Sequence, residues 1–448
     1  MTTARVWGVL ALAGLAACGR GDRSAEAAGA ADTSGAAAAA TPGAAACDAG
    51  NGGLTLPAGF CATVFADKVG AARHVAVAPD GVVYVALLEG PRAPEQGETG
   101  KGGILALADT DHDGHADRRA DFGALGGTGV AVHDGALYAD AVTAIVRYPL
   151  QPGTLPPAGK PDTIVRGLPT GGHGSRNLAF TRDGALLVNV GSRTNSCQRQ
   201  DRRNGSPGVD PCTELETRAG IWRFDPTKPN QTQATATRYA TGIRNGMGIA
   251  RNPADGRMWA TQHGRDQLFQ NWGRYFDAKE GAALPAEELV QVNAGDDFGW
   301  PYCYFDQTQG KLVLAPEYGG DGKEVGRCAQ KKAPAVAFPG HWAPMALAFY
   351  TGTQFPERYR GGAFIPFHGS WNRAPEPQAG YRLAFVPFAG GNPTGPYEDF
   401  ATGFAGTASP QPASAAHRPA GVAVAPDGAL FVTDDQGGRI WRIVYAGR

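Results

Sequence analysis

The feature that most constrains the fold of this chain is a turn motif that recurs along most of its length. An Asp-Gly pair stands between two short apolar runs at Asp80-Gly81, Asp134-Gly135, Asp183-Gly184, Asp255-Gly256 and Asp427-Gly428, and a longer version occupies residues 347–365. Asp80 and Asp427 stand five steps apart, so one step is about 69 residues. Such a pair predicts a β-hairpin, because the tight primed turn needs positive φ and glycine adopts it readily. The sequence therefore predicts six copies of one β-rich unit.

A period of this length, with several short strands in each unit, is typical of a β-propeller blade. We expect an all-β fold, a six-bladed β-propeller of four-stranded blades, over residues 47–448. The composition agrees with it, since 65 glycines and 33 prolines favour turns while 42% apolar residues suffice for a large core. The alternative that the repeats leave open is a pair of separate β-sandwiches.

Charge and motif content argue against several classes of function. Lys and Arg number 41 against 42 Asp and Glu, a net charge of −1, and no basic stripe is present, so we predict no nucleic-acid partner. The chain has neither a GxGxxG between a strand and a helix nor a GxxxxGK[ST] motif, which argues against nicotinamide and P-loop chemistry. After the N-terminal segment no run of 18 apolar residues occurs, so we do not expect a multi-spanning membrane protein.

The N-terminal segment has the pattern of an export signal. Residues 1–17 carry Arg5 and then an apolar run that ends in Leu15-Ala16-Ala17, directly before Cys18. This pattern predicts a lipoprotein signal peptide with lipidation at Cys18, and the alternative is an ordinary secretory signal. Residues 18–46 are rich in Ala and Gly and predict a flexible tether. We therefore expect a protein held in the bacterial cell envelope by its lipid anchor alone, on the outer membrane and facing the periplasm.

Six further cysteines follow the tether. They are Cys47, Cys61, Cys197, Cys212, Cys303 and Cys328. An even number of cysteines in an exported chain favours disulfides over free thiols. Among the possible connectivities, proximity along the chain favours the pairs 47–61, 197–212 and 303–328.

A short acidic segment has the spacing of a calcium-binding loop. Asp109, Asp111, Asp113 and Asp117 occupy positions 1, 3, 5 and 9 of a loop whose sixth residue is glycine, as in an EF-hand. Position 12, where a glutamate is usual, holds Ala120. The segment predicts a structural Ca²⁺ site, and the alternative is a solvated acidic hairpin tip.

Several segments, taken in order, resemble one family of enzymes. They are residues 172–180, 191–195, 242–248, 297–302, 368–373 and 418–422. The combination covers about residues 54–445 and resembles the PQQ-dependent soluble glucose dehydrogenases and, more closely, the L-sorbosone dehydrogenase-like proteins. The resemblance implies a six-bladed propeller, in agreement with the count of repeats. It also implies oxidation of a sugar or aldehyde with PQQ and Ca²⁺, and a cytochrome or quinone as electron acceptor.

The resemblance also implies roles for individual residues. His173 would be the catalytic base, because an imidazole suits proton abstraction near neutral pH. Arg244 and Asn245 would face the quinone oxygens, and the main-chain carbonyls of Gly264 and Arg265 would bind the calcium ion. The remaining candidates for binding the cofactor are Trp371, Arg373, Arg418 and Asp434.

The chain departs from the glucose enzymes at some of these segments. Gly172 stands where those enzymes have an aspartate, and Ala420 stands where they have a second arginine beside Arg418. The resemblance therefore does not imply glucose as the substrate. Two other classes of function stay open: a cofactor-free propeller lipoprotein that binds a ligand or a protein, and a calcium-dependent lactonase-type hydrolase.

Overall fold

The computed structural model describes residues 47–88, 90–91, 99–100, 103–123 and 126–447. The predicted signal peptide, the tether and the lipidated Cys18 lie outside the described residues, so those expectations stay predictions. None of the helices in the described ranges has the length and apolar character that crossing a bilayer requires.

Six sheets, each with four antiparallel strands in succession, form the predicted six-bladed β-propeller. We number the blades along the chain and give the strands of each in sheet order. Blade 1 consists of Ala72–Val77, Val83–Leu87, Gly103–Ala108 and Arg118–Phe122; blade 2 of Val130–His133, Ala136–Asp140, Ala144–Pro149 and Asp162–Arg166; blade 3 of Leu178–Phe180, Leu186–Val190, Gly220–Phe224 and Thr237–Thr241. Blade 4 consists of Gly248–Arg251, Met258–Gln262, Glu287–Val292 and Val336–Phe338; blade 5 of Ala348–Phe349, Ala363–Phe367, Arg382–Val386 and Glu398–Ala401; blade 6 of Pro419–Val424, Leu430–Asp434, Ile440–Tyr445 and Phe60–Ala66.

The first strand of every blade stands at the centre of the ring. First strands of successive blades contact one another around the circle, so each blade packs its sheet face against the next. They surround a central cavity of 240 Å³. Each blade contributes an apolar residue to its lining, in blade order Val75, Val130, Leu178, Ile249, Leu347 and Val422. Burial of the sheet faces between blades supplies the apolar core that a ring of thin sheets needs.

The ring is closed by the first strand of the described chain. Phe60–Ala66 pairs antiparallel with Ile440–Tyr445 and becomes the fourth strand of blade 6. Phe60 packs edge-on against Phe355 and Phe400, with ring centroids 4.7 and 5.0 Å apart. Each such pair contributes about 0.5–1.5 kcal/mol beyond its buried area, so the closing strand is also held against blade 5 through an aromatic core.

The predicted turns join the first and second strands of the blades. The turn at Asp134-Gly135 is the expected two-residue primed turn, with φ of 45° and 68°. The turn at Asp80-Gly81 differs, because only the glycine has positive φ and a three-residue loop is closed by a hydrogen bond from Ala78 N to Val82 O. A type I turn followed by a left-handed glycine also matches strand twist. The hairpins are therefore confirmed, while the tight primed geometry is wrong for the turn at Asp80-Gly81 and also for those at Asp183-Gly184, Asp255-Gly256 and Asp427-Gly428, where again only the glycine has positive φ.

The remaining regular elements lie in the loops between blade strands. The α-helices are Leu268–Trp272 and Ala278–Ala283, both in blade 4. The additional strands pair as Gly90–Pro91 with Thr99–Gly100, Cys303–Asp306 with Lys311–Leu314, Phe388–Ala389 with Asn392–Pro393, and Asp296–Asp297 with Thr237–Thr241. Short 3-10 helices are Ala49–Gly53, Thr213–Glu216, Gln233–Thr235, Pro316–Tyr318, Gly326–Gln330 and Glu357–Tyr359.

The three predicted disulfides are confirmed. They join Cys47 to Cys61, Cys197 to Cys212 and Cys303 to Cys328, with Cα atoms 5.8, 6.2 and 5.7 Å apart. The first ties the N-terminal segment to the closing strand of blade 6. The other two close loops of 15 and 25 residues on the face that carries the candidate site, and each constrains the unfolded chain by about 3 kcal/mol.

Candidate active site

The candidate residues for catalysis and cofactor binding lie on one face of the ring, opposite the Asp-Gly turns. In each blade this face receives the segment before the first strand and the segment after the second strand. His173 precedes the first strand of blade 3, and Arg244 precedes that of blade 4. Gly264 follows the second strand of blade 4, and Trp371 follows that of blade 5. Residues far apart in the sequence therefore converge at one mouth of the central pore, which we call the site mouth.

Ser192 joins the segments that carry His173 and Arg244. Its main-chain N–H donates to the Arg244 carbonyl at 2.8 Å, and its carbonyl accepts from the His173 N–H at 2.9 Å. The preceding residue must be small, because a Cβ at Gly191 would lie 2.4 Å from the His173 carbonyl oxygen. Close backbone packing therefore places the two predicted functional residues side by side at the site mouth.

The hydrogen bonds of His173 determine which of its ring nitrogens is basic. Nδ1 lies 3.1 Å from the Ser192 carbonyl and 2.9 Å from Ser192 Oγ, whose own hydrogen is donated to the Thr194 carbonyl. Both oxygens accept here, so Nδ1 carries the proton and Nε2 keeps its lone pair. Burial and then the charge of Arg244 hold the pKa of His173 well below its usual value. His173 is thus a neutral imidazole whose basic nitrogen, Nε2, has no hydrogen-bond partner among the described residues.

Arg244 is buried, with 3% of its surface exposed, and is held in a fixed position. Its Nε donates to the Asn195 carbonyl at 3.1 Å, and its Nη2 donates to Asn195 Oδ1 at 3.0 Å and to Asp266 Oδ2 at 2.8 Å. Its Nη1 donates to the Gly264 carbonyl at 2.8 Å. Four of the five guanidinium N–H groups are used in this way, which leaves one on Nη1 for a ligand.

Asp266 connects the arginine to the neighbouring blade. Its Oδ2 accepts from Arg202 Nη2 as well as from Arg244 Nη2, both at 2.8 Å, and its Oδ1 accepts from Asn372 Nδ2 at 2.7 Å. Burial alone raises the pKa of Asp266, but the positive charges of Arg244 and Arg202 and the nearby His341 lower it well below the usual range. Asp266 is therefore a buried carboxylate on which the position of Arg244 depends.

Asn245 keeps one buried polar atom without a partner. Its Nδ2 lies 3.2 Å from His263 Nδ1, and His263 Nε2 lies 2.8 Å from the Pro344 carbonyl. The carbonyl can only accept, so His263 is protonated on Nε2 and accepts from Asn245 on Nδ1. Burial lowers the pKa of His263 to about 4, which keeps it neutral. Asn245 Oδ1 is buried and has no hydrogen-bond partner within the described part of the chain, so it is available to a ligand.

Two buried glutamates lie behind the site mouth on the third strand of blade 4. Glu287 accepts from the main-chain N–H groups of Gly264 and Ala343, and Glu288 accepts from Gln262 Nε2. Burial raises the pKa of Glu287 to about 8 and that of Glu288 to about 7. Because Glu287 is largely neutral at pH 7, it does not supply the negative charge that balances the buried Arg244.

The predicted calcium ligands at the pore have different surroundings. The Gly264 carbonyl already accepts from Arg244 Nη1, so one lone pair of that oxygen remains. The Arg265 carbonyl accepts no hydrogen bond from the described residues, while the Arg265 side chain forms a buried pair with Glu317 through Nη1 at 2.5 and 2.6 Å. Their role as ligands stays a prediction.

Four further candidates for cofactor binding lie at the mouth with their polar atoms partly used. Trp371 is 54% exposed. Arg373 donates through Nε and Nη1 to the carbonyls of residues 377, 282 and 340. Arg418 donates to the carbonyls of residues 368 and 369, and Asp434 accepts from main-chain N–H groups and from His417 Nδ1 at 2.7 Å. These contacts hold the mouth loops in place, and a role in binding stays a prediction for each.

The acidic loop between the third and fourth strands of blade 1 gathers three of its four aspartates. Oxygens of Asp109, Asp111 and Asp113 lie within 4.8 Å of one another. Asp117 is outside this group, because its carboxylate accepts from the N–H and hydroxyl groups of Thr110. The loop has the donor set that calcium prefers, and the site stays a prediction.

Two arginines that the sequence analysis did not assign hold the His173 loop. Arg176 donates to the carbonyls of residues 169 and 174, and Arg218 donates to those of residues 170 and 171. Arg176 is fully buried, and its Nη1 lies 3.9 Å from Asp140 Oδ1. The motif His173-Gly-Ser-Arg176 could have drawn attention to Arg176, whereas no local pattern marks Arg218.

The comparisons with known proteins agree with this architecture. A family model described as TrAA12-like matches residues 54–446. A "Pyrroloquinoline quinone-dependent sugar dehydrogenase" of Hypocrea jecorina is 24% identical over 262 residues, which is 54% of this chain and 57% of that protein. The chain spans about half the length of the curated relatives it matches.

Solved structures with a similar fold align with most of this chain. The calcium structure of the Trichoderma reesei carbohydrate-active enzyme of family AA12 has a TM-score of 0.69 at 20% identity, over 88% of this chain and 97% of that chain. The holo form of the pyranose dehydrogenase PQQ domain from Coprinopsis cinerea has a TM-score of 0.69 at 19% identity, over 87% and 97% of the two chains. These similarities show a shared fold.

Proposed function

Because this chain belongs to the TrAA12-like family, we propose that it is a PQQ-dependent dehydrogenase that oxidises a sugar. The observation that carries the proposal is the pair formed at the site mouth by His173 and Arg244. One offers an unprotonated Nε2 and the other a fixed guanidinium, and both are anchored through Ser192. A curated relative described as a PQQ-dependent sugar dehydrogenase and a solved PQQ domain of a pyranose dehydrogenase support it.

The donor set at the site mouth suits PQQ, a planar molecule with two quinone oxygens, three carboxylates and a pyrrole N–H. Arg244 Nη1 offers an N–H to an acceptor oxygen, and the unpaired Asn245 Oδ1 accepts from a donor. Trp371 presents an exposed ring to a flat ligand. Arg244, through its free Nη1–H, and Asn245, through the amide N–H that His263 leaves unused, would hold the quinone end, with the other mouth residues nearer the carboxylates.

The chemistry divides between the cofactor and the chain. PQQ, when bound, supplies the quinone that accepts a hydride from the carbon bearing the sugar hydroxyl. His173 Nε2 accepts the proton of that hydroxyl, so the C–H and O–H bonds break as the carbonyl forms. Ser192 holds Nδ1–H, which keeps the ring in the tautomer that can accept on Nε2. Arg244, fixed by Asp266 and Asn195, stabilises negative charge that develops at the quinone end.

Calcium belongs to the proposal at two places. At the pore, the carbonyls of Gly264 and Arg265 would bind the ion that accompanies the cofactor, and the remaining lone pairs on these oxygens support this. On blade 1, Asp109, Asp111 and Asp113 would bind a structural ion, supported by the convergence of their oxygens.

The identity of the substrate, the electron acceptor and the location in the cell are proposed from the sequence alone. The substrate would be a small sugar or its aldehyde form, and a cytochrome or membrane quinone would accept the electrons. The motif ending at Cys18 supports a lipid-anchored protein of the bacterial envelope that faces the periplasm.

Reconstitution tests the function directly. Apo-protein is titrated with PQQ in the presence and absence of Ca²⁺, binding is followed by quenching of tryptophan fluorescence, and dye reduction is then measured with a panel of aldoses, ketoses and their aldehydes. We expect saturable binding at one PQQ per chain, strengthened by Ca²⁺, and sugar-dependent dye reduction that requires PQQ. Absence of PQQ binding with Ca²⁺ present would overturn the proposal and leave the binding-protein and hydrolase alternatives open.

The lowered pKa of His173 predicts the shape of the pH profile. A base with a depressed pKa stays unprotonated at neutral pH and is lost only when the pH falls through its own pKa. We therefore expect kcat/KM to stay level from about pH 8 to pH 6.5 and to fall only under more acidic conditions. Initial rates at saturating PQQ, with protein fluorescence as a check on folding at each pH, measure it. An acid limb centred at pH 6.5 or above contradicts the prediction.

A further inference from the structure

A cluster of charged groups lies across the pore from His173 and Arg244. It consists of Arg73 of blade 1, His368 of blade 5, and Arg418 and Asp435 of blade 6, and we call it the Arg73 cluster. Asp435 Oδ1 lies 2.7 Å from His368 Nε2, and Asp435 Oδ2 lies 3.1 Å from Arg73 Nε. Blades 6 and 1 stand opposite blades 3 and 4 in a ring of six, so this cluster faces the other end of a ligand that lies across the mouth.

Arg73 reaches this place because blades 6 and 1 pack closely. A Cβ at Gly421 would lie 2.4 Å from the Arg73 carbonyl oxygen, so only a glycine fits there. The Thr433 hydroxyl donates to the same carbonyl. The start of the inner strand of blade 1 is thus held against blade 6, beside the segment that carries Arg418.

The guanidinium groups of the cluster keep N–H groups without acceptors. The Arg73 side chain is only 14% exposed, and its Nε lies near Asp435 Oδ2 but is not aligned for a hydrogen bond. Its Nη1 lies 4.0 Å from Met345 Sδ, a weak acceptor. Arg418 donates through Nε and Nη2 to main-chain carbonyls, and its Nη1 has no acceptor among the residues that the structure describes. Arg73 Nε is buried without a hydrogen-bond partner, which is costly, and the free N–H groups on the Nη atoms of both arginines remain open to a ligand that supplies oxygens.

The nearby carboxylates of Asp434 and Asp435 do not accept hydrogen bonds from the free N–H groups of the two arginines. Asp435 divides its single charge between His368 and Arg73. Asp434 is turned away, since its two oxygens accept from His417 Nδ1 and from main-chain N–H groups. Burial lowers the pKa of His368 to about 4, so it is neutral and adds no demand for an anion. The groups that lack an acceptor are therefore the guanidinium N–H groups of Arg73 and Arg418.

We infer that Arg73, together with Arg418, binds a carboxylate group of the cofactor. A guanidinium fork matches a carboxylate in geometry and charge, and two forks from adjacent blades can take one carboxylate from both sides. Ala420 leaves blade 6 with Arg418 alone at this position, and Arg73 supplies the second guanidinium from blade 1. The inference rests on the proposed function, because it assumes that the ligand is PQQ.

Binding measurements on apo-protein test the inference without any turnover. The dissociation constant for PQQ is measured by fluorescence quenching for the wild type, R73Q, R73K and R418Q. The control is R119Q, which removes an exposed arginine from the outer strand of the same blade. We expect R73Q to bind PQQ about 30-fold or more weakly, R73K to fall between R73Q and the wild type, and R119Q to stay within about twofold. With the trimethyl ester of PQQ, which has no charged carboxylate, the difference between the wild type and R73Q should nearly disappear.

The outcomes separate this inference from the proposed function. If the wild type binds PQQ and the folded R73Q and R73K variants bind it equally well, Arg73 is not a carboxylate ligand and the proposed function still stands. If R73Q weakens PQQ and its trimethyl ester equally, Arg73 acts through the structure of the mouth and the inference is wrong. If the wild type does not bind PQQ, the proposed function fails and this inference fails with it.

Discussion

Replacement of His173 by glutamine is expected to lower kcat about 1,000-fold while leaving the affinity for PQQ within about threefold of the wild type. The glutamine amide can still donate to the Ser192 carbonyl, as Nδ1–H does, so the loop keeps its anchor. It offers no basic nitrogen in place of Nε2, and a positioned general base contributes about 10²–10⁴ to the rate. Dye reduction under saturating sugar and PQQ measures kcat, and fluorescence titration measures the affinity.

A matched histidine variant distinguishes loss of the base from general damage. His133 stacks on Phe180 with ring centroids 3.9 Å apart, next to an Asp-Gly turn on the opposite face of the ring. We expect H133Q to change the free energy of unfolding but not kcat. If H173Q keeps more than about a tenth of the wild-type kcat, another group takes the proton and the assignment of His173 as base is wrong.

Much of the fold could be predicted from the sequence because its hairpins are local. An Asp-Gly turn and the apolar runs beside it lie within a dozen residues, so the first two strands of five of the six blades can be recognised from the sequence. The closing strand has no such signal, since Phe60–Ala66 pairs with Ile440–Tyr445 at the other end of the chain. Neither segment carries a sequence pattern that identifies the other, so their pairing can be inferred only after the six-bladed ring has been recognised.

The site residues that belong to a sequence motif could be predicted. Residues that matter through their contacts with distant segments could not. The resemblance assigns His173 and Arg244 to the same cofactor, and the structure brings them together through Ser192. The neighbour of Arg244 was not predicted, because Asp266 contacts it through a loop that follows a different strand. Arg265 was expected to act through its carbonyl, and the sequence did not indicate that its side chain pairs with a buried glutamate.

Hydrogen-bond partners are the part that a sequence alone does not specify. Arg218 and Arg73 stand outside any recurring motif, and each matters because of which carbonyl or carboxylate happens to face it in the ring. Ser192 shows the same point, since its hydroxyl accepts from His173 only because Thr194 takes the hydroxyl hydrogen. Such roles depend on positions within an ångström, which neither composition nor periodicity encodes.

Replacement of Asp266 by asparagine is expected to lower the free energy of unfolding by about 3–5 kcal/mol and to reduce kcat as well. The carboxylate is the partner of two arginines, and Arg244 is nearly inaccessible to water. Removing one member of a buried pair leaves an uncompensated charge, which costs several kcal/mol. Urea denaturation with the disulfides intact measures the change.

An aspartate in an exposed pair supplies the comparison for Asp266. Asp399 pairs with Arg382 at 2.7 Å, and its side chain is 44% exposed, so D399N should cost no more than about 1 kcal/mol. Because Asp266 also positions the guanidinium at the site mouth, D266N should lose turnover even at temperatures where it is fully folded, whereas D399N should not. If the two variants lose equal stability and both keep wild-type kcat, the buried carboxylate neither holds Arg244 nor orders the mouth, and the account of the site given by its hydrogen bonds is wrong.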